Sequence, residues 1–280
     1  MKIPKLYVGT AGWSYKDWRP TFYPKQQSQN FNYLKFYANY FNVVEVNSSY
    51  YKYWDAKVIE KWIKQVDDID NFVFTFKLHK DFTHLREFND ENIKSVQESL
   101  SLLAGSERLG GLLIQFPYSF ECHDGNIAYL ARLLEIFAGY PKFVEVKHPS
   151  WKNKKASSIT FCSVDKPELS EIFPFQLKVS NKSAYLRLYG REKPNTDNRE
   201  QYLYSPGELL EIEYELKKIY SQAEKIFVIM KRHAFGNSLA NAFEMMHFLE
   251  ESKKIKMPPT IIKAYPRLKK FCYGLGQYFF

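Results

Sequence analysis

The sequence predicts an α/β protein whose parallel strands close into a (β/α)8 barrel of the TIM-barrel type. Eight short segments rich in β-branched and aromatic residues alternate with segments of helical periodicity along most of the chain. Several of these strand segments end in polar residues that share one face, which is typical of a parallel sheet with a ligand site at the carboxyl ends of its strands. An open, doubly wound sheet is the alternative.

The strand segment on which this interpretation depends contains Val43, Val44 and Val46, interrupted by Glu45 and followed by Asn47. Side chains alternate between the two faces of a strand, so Glu45 and Asn47 lie on one face and the flanking valines on the other. A carboxylate that is buried without a partner is costly. The segment therefore predicts a nearby cation, a hydrated cavity or a ligand.

The same polar ending recurs in the other strand segments. Their polar residues are Lys77, Gln115, Glu145 with Lys147 and His148, Asp165, Arg187 with Tyr189, and the run Lys231, Arg232 and His233. The carboxyl ends of all strands meet at one end of a barrel, so these side chains are expected to surround one site.

Cap signals support several of the intervening helices. Asp55 precedes one helical segment, and Ser205-Pro206-Gly207-Glu208 has the composition of a capping box. After the fifth strand only seven residues separate Trp151 from Ile159, too few for a crossover helix. The sequence thus predicts a reduced or missing helix after strand 5 and leaves the structure of the tail from 257 to 280 undecided.

Composition favours one large domain over residues 1–280 rather than two small ones. Lys and Arg number 40 against 31 Asp and Glu, and the resulting charge of +9 favours anionic partners. No apolar run approaches the roughly 18 residues of a membrane span, and the amino terminus lacks a signal-peptide core. Three widely spaced cysteines suggest no disulfide framework. A cytoplasmic protein without membrane contact is expected.

Common cofactor and catalytic signatures are missing from the sequence. There is no P-loop or dinucleotide-binding glycine motif, no Gly-x-Ser-x-Gly elbow and no His-Glu-x-x-His motif. No cofactor is therefore predicted. The six histidines are scattered, which makes a metal site the less favoured interpretation, although His79 and His84 could join nearby carboxylates in one.

Several sequence blocks, taken together, resemble the DUF72 (YecE-like) family. They are Gly9-Thr-Ala-Gly-Trp-Ser-Tyr15, Val44-Glu-Val-Asn-Ser-Ser-Tyr50, Phe74-Thr-Phe-Lys77 with Thr83-His84, Gln115-Phe-Pro-Tyr-Ser-Phe120, Val144-Glu-Val-Lys-His-Pro-Ser-Trp151, Val164-Asp-Lys-Pro167 and Tyr185-Leu-Arg-Leu-Tyr-Gly-Arg191. The match runs in order from about Leu6 to about Leu249. The resemblance implies a TIM-barrel-like fold and brings no established activity with it.

The chain departs from the family pattern at four positions near the predicted site. Lys147 stands where the family usually has Arg, and Tyr189 where it has His. Lys231 and Arg232 replace a pair of Asn residues. If family chemistry uses that His or those Asn residues, this member is expected to be altered or inactive.

The predicted site contains more cations than acids, which suits phosphate or carboxylate ligands. The leading hypothesis is a hydrolase-like acid–base enzyme, with Glu45 or Glu145 as general base, His84 or His233 as general acid, and Arg187 with Lys77 as oxyanion clamp. The remaining substrate-binding candidates are Trp13, Asn47, Gln115, Lys147, His148, Asp165 and Arg191.

Three alternatives remain open. The charges could form a self-satisfied ion network of Glu45 with Lys77, Glu145 with Arg187 and Asp165 with Lys147. The aromatic loop from Trp13 to Tyr23 could bind nucleic acid or an anionic metabolite without chemistry, or could simply be a packed plug. The barrel could also be a divalent-metal-dependent isomerase or endonuclease.

Overall fold

The computed structural model describes residues 3–152, 159–166, 177–191, 201–250 and 253–273. Within these ranges one parallel sheet contains nine strands, in the order β6-β5-β4-β3-β2-β1-β9-β8-β7. The strands are β1 Lys5–Ala11, β2 Val43–Val46, β3 Val73–Lys77, β4 Leu109–Gln115, β5 Lys142–Glu145, β6 Thr160–Phe161, β7 Ser163–Asp165, β8 Ser183–Leu188 and β9 Lys225–Met230.

The two ends of this strand order belong to one continuous segment. Only Cys162 separates β6, which pairs with β5, from β7, which pairs with β8. The backbone N–H of Cys162 donates to the carbonyl oxygen of Val144 at 2.8 Å. The sixth predicted strand is thus divided into two short pieces, and the sheet forms a nearly closed barrel. The prediction of an α/β, TIM-barrel-like fold is confirmed.

Helices connect most of the strands on the outside of the barrel. They are α1 Tyr33–Ala38, α2 Ala56–Gln65, α3 Asp90–Gly105, α4 Asp124–Ile136, α5 Pro206–Lys218, α6 Asn237–Leu249 and α7 Pro259–Ala264. The Asp55 side chain caps α2 by accepting from the backbone N–H of Lys57 at 2.8 Å. Ser205 and Glu208 form the reciprocal bonds of a capping box at the start of α5. Both caps were expected from the sequence.

Between β5 and β6 the described residues contain only a single 3₁₀ turn, Pro149–Trp151. The rest of the segment in which a reduced or missing helix was predicted, residues 153–158, lies outside the described residues. The carboxyl-terminal tail, which the sequence left undecided, contains α7 and the 3₁₀ segment Pro266–Phe271. Residues 274–280 of this tail lie outside the described residues too.

The barrel interior is packed with side chains. One cluster fills it, and a larger one lies between the strands and the helices. In the interior Tyr7 stacks on Phe227 with ring centroids 4.6 Å apart, and Tyr185 packs against Phe143 at 4.5 Å. Aromatic rings bury a large apolar area, so they leave no channel along the axis. Glu45, Glu145 and Arg187 lie above this layer, toward the carboxyl ends of the strands.

None of the helices in the described part of the chain combines the length and the apolar character needed to cross a membrane.

Candidate functional site

Three fully buried charged side chains meet at the carboxyl end of the barrel. They are Glu45 on β2, Glu145 at the end of β5 and Arg187 on β8. Strand alternation explains their position, because Val44 and Val46 face the helices while Glu45 faces the interior. The three strands lie apart in the sheet order, so the charges meet across the barrel rather than between neighbouring strands.

Arg187 holds Glu45 through a bidentate ion pair. The guanidinium Nε donates to Oε2 of Glu45 at 3.0 Å, and Nη2 donates to Oε1 at 2.8 Å. The geometry matches the two parallel bonds that a planar guanidinium forms with a carboxylate. Tyr185 Oη adds a third bond to Oε2 at 3.0 Å and lies 2.9 Å from Thr75 Oγ1. Glu45 is therefore satisfied within the protein.

The other side of the guanidinium binds the second carboxylate. Nη1 of Arg187 donates to Glu145 Oε2, to Tyr189 Oη and, at 3.0 Å, to Gln115 Oε1. Tyr189 Oη lies 3.1 and 3.2 Å from the two oxygens of Glu145 and donates to this carboxylate. One arginine therefore neutralises much of the charge of two carboxylates.

These contacts keep both carboxylates ionised. Burial alone would raise the pKa of Glu45, but Arg187, Lys231 and Lys77 outweigh it and lower that pKa to about 2. Burial likewise opposes ionisation of Glu145, yet Arg187 and Lys147 lower its pKa. A carboxylate with a lowered pKa is a weak proton acceptor, which limits its use as a general base near neutral pH.

Three lysines surround this network on its solvent side. Lys231 Nζ lies 3.4 Å from Glu45 Oε1, and Lys147 Nζ lies 3.9 Å from Glu145 Oε1. Lys77 Nζ lies 4.0 Å above the ring of Tyr50 and forms no ion pair with any described residue. The Lys147 side chain is 24% exposed and that of Lys231 is 13% exposed. Lys147 and Lys231 thus reach solvent, whereas Lys77 is buried.

The charges of the site do not cancel. Among these six described side chains, Arg187 and the three lysines supply four positive charges against two carboxylates, a sum of +2 when the lysines are protonated. Burial, together with repulsion from Arg187 and Lys231, lowers the pKa of Lys77 to about 7. Burial and Arg187 lower the pKa of Lys231 to about 8. An added anion would relieve this repulsion.

His84 lies close enough to the lysines to feel their charge. It belongs to a π-helical turn, Asp81–Leu85, and its Nδ1 lies 2.9 Å from Thr83 Oγ1. Burial, with Lys77 and Lys147, lowers the pKa of His84 to about 4. This lowered pKa favours the neutral imidazole at pH 7.

Other predicted site residues lie elsewhere around the barrel end. His233 stacks on Tyr15 with ring centroids 4.2 Å apart. His148 bonds with Ser150 and lies 3.8 Å from a carboxylate oxygen of Glu121.

Asp165 and Arg191, also predicted for the site, form a second charged cluster. Arg191 Nε lies 3.0 Å from Asp165 Oδ2, and its Nη1 lies 2.8 Å from Glu211 Oε2. Tyr204 Oη donates to Asp165 at 2.9 Å.

The observed pairing differs from the ion network that the sequence suggested. Glu145 does pair with Arg187, as expected. Glu45 pairs with Arg187 rather than with Lys77, because β2 and β8 direct both side chains into the same layer. Asp165 pairs with Arg191 rather than with Lys147, which lies beside Glu145.

The aromatic loop divides into a packed part and an open part. Trp18, Phe22 and Tyr23 are fully buried and act as a plug. Trp13 instead lines a cavity of about 520 Å³ beside the mouth, and Asn47 contributes to the same wall. The packed-plug interpretation thus applies to Trp18, Phe22 and Tyr23, while a binding role for Trp13 stays a prediction.

Three residues that contact the central carboxylates had been given no catalytic or substrate-binding role from the sequence, namely Tyr185, Tyr189 and Lys231. Tyr189 and Lys231 had been expected at this end of the barrel and noted as departures from the family pattern. The signal for Lys231 was present in the sequence, because it follows Phe227 and Ile229 at the two-residue spacing of the inner face. Within the described ranges no group of three or more His, Cys, Asp or Glu side chains is arranged to hold a metal ion.

Comparison with known protein families supports the same fold. The family described as "protein of unknown function DUF72" matches residues 7–264. The chain belongs to the DUF72 family. Its resemblance to that family in sequence is thereby confirmed, and so is the barrel fold expected from it.

Individual DUF72 relatives agree over most of the chain. The UPF0759 protein YunF of Bacillus subtilis strain 168 is 26% identical over 273 residues, which cover 88% of this chain and 95% of YunF. The UPF0759 protein YecE of Escherichia coli K12 is 28% identical over 149 residues, about half of each chain. The crystal structure of a DUF72 family protein from Thermotoga maritima MSB8 superimposes with a TM-score of 0.76, 27% identity and coverage of 88% and 99%.

Proposed function

We propose that this DUF72 protein is an acid–base enzyme that acts on a small anionic substrate, carrying phosphate or carboxylate, at the carboxyl end of the barrel. The observation that carries the proposal is the arrangement of Lys77 and Lys231 beside a buried network in which Arg187 already binds both carboxylates. Lys77 forms no ion pair with any described residue, and a bound anion would supply one.

Lys77, buried above the Tyr50 ring at the edge of the charged network, is the group that we propose to move a proton. Its pKa of about 7 makes a large share of the amine neutral at physiological pH, and a neutral amine accepts protons. Glu45 and Glu145 bind Arg187 from both sides and fix the buried network beneath the lysines. The acid–base roles that the sequence suggested for Glu45, Glu145, His84 and His233 stay predictions.

Anion binding tests the proposal directly. Titration calorimetry with inorganic phosphate is expected to detect binding that Lys231→Gln weakens about tenfold or more, because a charged partner within hydrogen-bond range is lost. Lys57→Gln, on the exposed face of α2, is the matched control and leaves the affinity unchanged. Phosphate affinity that is the same in Lys231→Gln and Lys57→Gln would contradict the proposal.

A second candidate function is a non-catalytic binding protein for nucleic acid. Exposed aromatic side chains on three loops at the mouth favour it, namely Tyr51, Tyr118 and Phe235. Such rings can stack bases, and the net charge of +9 favours a phosphate backbone. The affinity for a fluorescent oligothymidylate would then fall steeply between 50 and about 200 mM salt. Absence of binding at low salt would exclude this candidate.

A further inference from the structure

We propose that the cavity beside the barrel mouth binds the planar heteroaromatic ring of the substrate, so that the substrate is a ring-bearing anion of the mononucleotide type. The proposal rests on the proposed function for the anionic half of the ligand. The ring half rests on the cavity walls, on two polar atoms within them and on the short path between cavity and mouth.

The cavity walls consist mainly of aromatic faces. Trp13, Trp54 and Trp62 surround it. The ring centroid of Trp62 lies 5.1 Å from that of Trp13 and 5.0 Å from that of Trp54. Tyr15 and Tyr51 complete the aromatic lining. Its volume of about 520 Å³ lies within the range of small-molecule sites, which runs from roughly 300 to 1,000 Å³.

The aromatic lining stays open to solvent instead of closing on itself. Tyr51 is 70% exposed, although it lies next to rings against which it could pack. A contiguous exposed apolar surface marks a binding site more often than a packing defect. A flat ring inserted between these faces would bury them, and base–aromatic stacking contributes about 1–3 kcal/mol per base.

Two residues that line the cavity, Asn47 and Trp54, each carry a polar atom without a partner among the described residues. Asn47 Oδ1 and Trp54 Nε1 are both buried and form no hydrogen bond with any described residue. An unsatisfied buried polar atom costs about 1–3 kcal/mol. The amide oxygen accepts and the indole N–H donates, so together they suit the edge of a ring that carries one donor and one acceptor. A sugar would bring several hydroxyl groups into a wall that has few polar atoms to bind them.

The cavity and the anion site lie close enough for one small molecule. Asn47 follows Glu45 by two residues, a separation of about 6–7 Å along an extended strand. The backbone N–H of Gly12, in the cavity wall, donates to the carbonyl oxygen of Glu45 at 2.8 Å. Lys77 Nζ lies 4.0 Å above the ring of Tyr50, which packs against Tyr51 of the cavity wall with ring centroids 4.7 Å apart. A mononucleotide could thus place its ring in the cavity and its phosphate beside the lysines.

Calorimetry with matched probes separates the two halves of the ligand. The probes are the four common ribonucleoside 5′-monophosphates, ribose 5-phosphate, the four nucleosides and inorganic phosphate. We expect at least one nucleotide to bind about tenfold or more tightly than ribose 5-phosphate, which is the contribution of the stacked ring. Val58→Trp fills the cavity and is expected to remove this advantage while phosphate affinity is retained. Val58→Ile is the matched control.

Circular dichroism and the indole N–H signals in NMR spectra verify that each variant is folded. Four nucleotides that bind no more tightly than ribose 5-phosphate would overturn the ring site, and so would an advantage that persists in Val58→Trp. If Val58→Trp abolishes the binding of ribose 5-phosphate, the cavity binds a sugar rather than a planar ring, and the proposal is refuted. Nucleosides that bind while phosphate does not would support the cavity and count against the anion site, so the two failures are distinguishable.

Discussion

Replacing Arg187 by methionine tests whether this residue holds the two carboxylates together. Methionine keeps much of the length of the side chain but leaves Glu45 and Glu145 without their common partner. Removing one member of a buried ion pair typically costs about 3–5 kcal/mol, because an uncompensated charge remains buried. The fall in the pKa of Glu45 from 4.5 to about 2 corresponds to about 3 kcal/mol, which agrees in magnitude.

The dependence of this loss on pH distinguishes electrostatics from packing. In the unmodified protein the lowered pKa of Glu45 contributes stability that is present above about pH 4.5 and is lost as pH falls toward 2. In Arg187→Met the buried carboxylates lose their main counter-charge, so their pKa values rise above the unfolded value. The free energy of unfolding of the variant is therefore expected to increase as pH falls from 8 to 5. In the unmodified protein the contribution of Glu45 to this free energy is constant over the same range.

Urea unfolding at pH 8, 7, 6 and 5 measures both effects. We expect the free energy of unfolding of Arg187→Met to be lower than that of the unmodified protein by about 3 kcal/mol or more at pH 7. This difference is expected to be smaller at pH 5. Arg108→Met is the control, because Arg108 donates to the carbonyl oxygens of Ile69 and Phe72 rather than to a carboxylate. Its effect is expected to be independent of pH. A loss below about 1 kcal/mol for Arg187→Met, or one that stays constant from pH 8 to 5, would refute the reasoning.

Three further predictions concern other parts of the molecule. The rate of any acid–base reaction is expected to rise as pH passes about 7, and this rise is expected to be absent from the pH–rate profile of Lys77→Gln. A profile that is unchanged in Lys77→Gln would exclude Lys77 as the base. Gly9→Ala should cost about 3 kcal/mol in urea unfolding, because its Cβ would overlap the carbonyl oxygen of Val43, whereas Gly105→Ala meets open space and should be neutral or slightly stabilising. Asp55→Ala should cost about 1 kcal/mol through the lost cap of α2, and equal stability would show that the cap is unimportant.

The sequence predicted which strands carry the charged layer but not how its members pair. Alternation along a strand places Glu45, Glu145 and Arg187 on the inner face, and this was readable residue by residue. The choice of partner depends on the position of each residue along the barrel axis. Glu45 on β2 pairs with Thr75 on β3, and Lys77 lies two residues beyond Thr75 on the same strand. Lys77 is therefore displaced from Glu45 along the barrel axis by two residues. Such a displacement follows from strand register, which one sequence does not specify.

Loop residues were harder to place than strand residues. His148 and His233 follow strands directly in sequence, yet each leaves the mouth where the chain enters a 3₁₀ turn. Phe235, in the second of these turns, adopts the left-handed backbone region with φ of 55°. A residue other than glycine rarely does so, and the alternation rule no longer applies beyond such a turn. The aromatic cavity escaped prediction for a similar reason, because Trp13, Trp54 and Trp62 come from separate connections.

The division of the sixth predicted strand at Cys162 makes the barrel sensitive to proteolysis at this point. The ring of strands is completed by a short stretch of covalent chain, since β6 and β7 pair with different neighbours over two and three residues. Cleavage by a protease in this stretch would separate β6 from β7 and turn the nearly closed barrel into a curved sheet whose two edge strands are no longer held together. Exposed edges of this kind recruit strands from other molecules. A nicked molecule is therefore expected to self-associate rather than remain a monodisperse species.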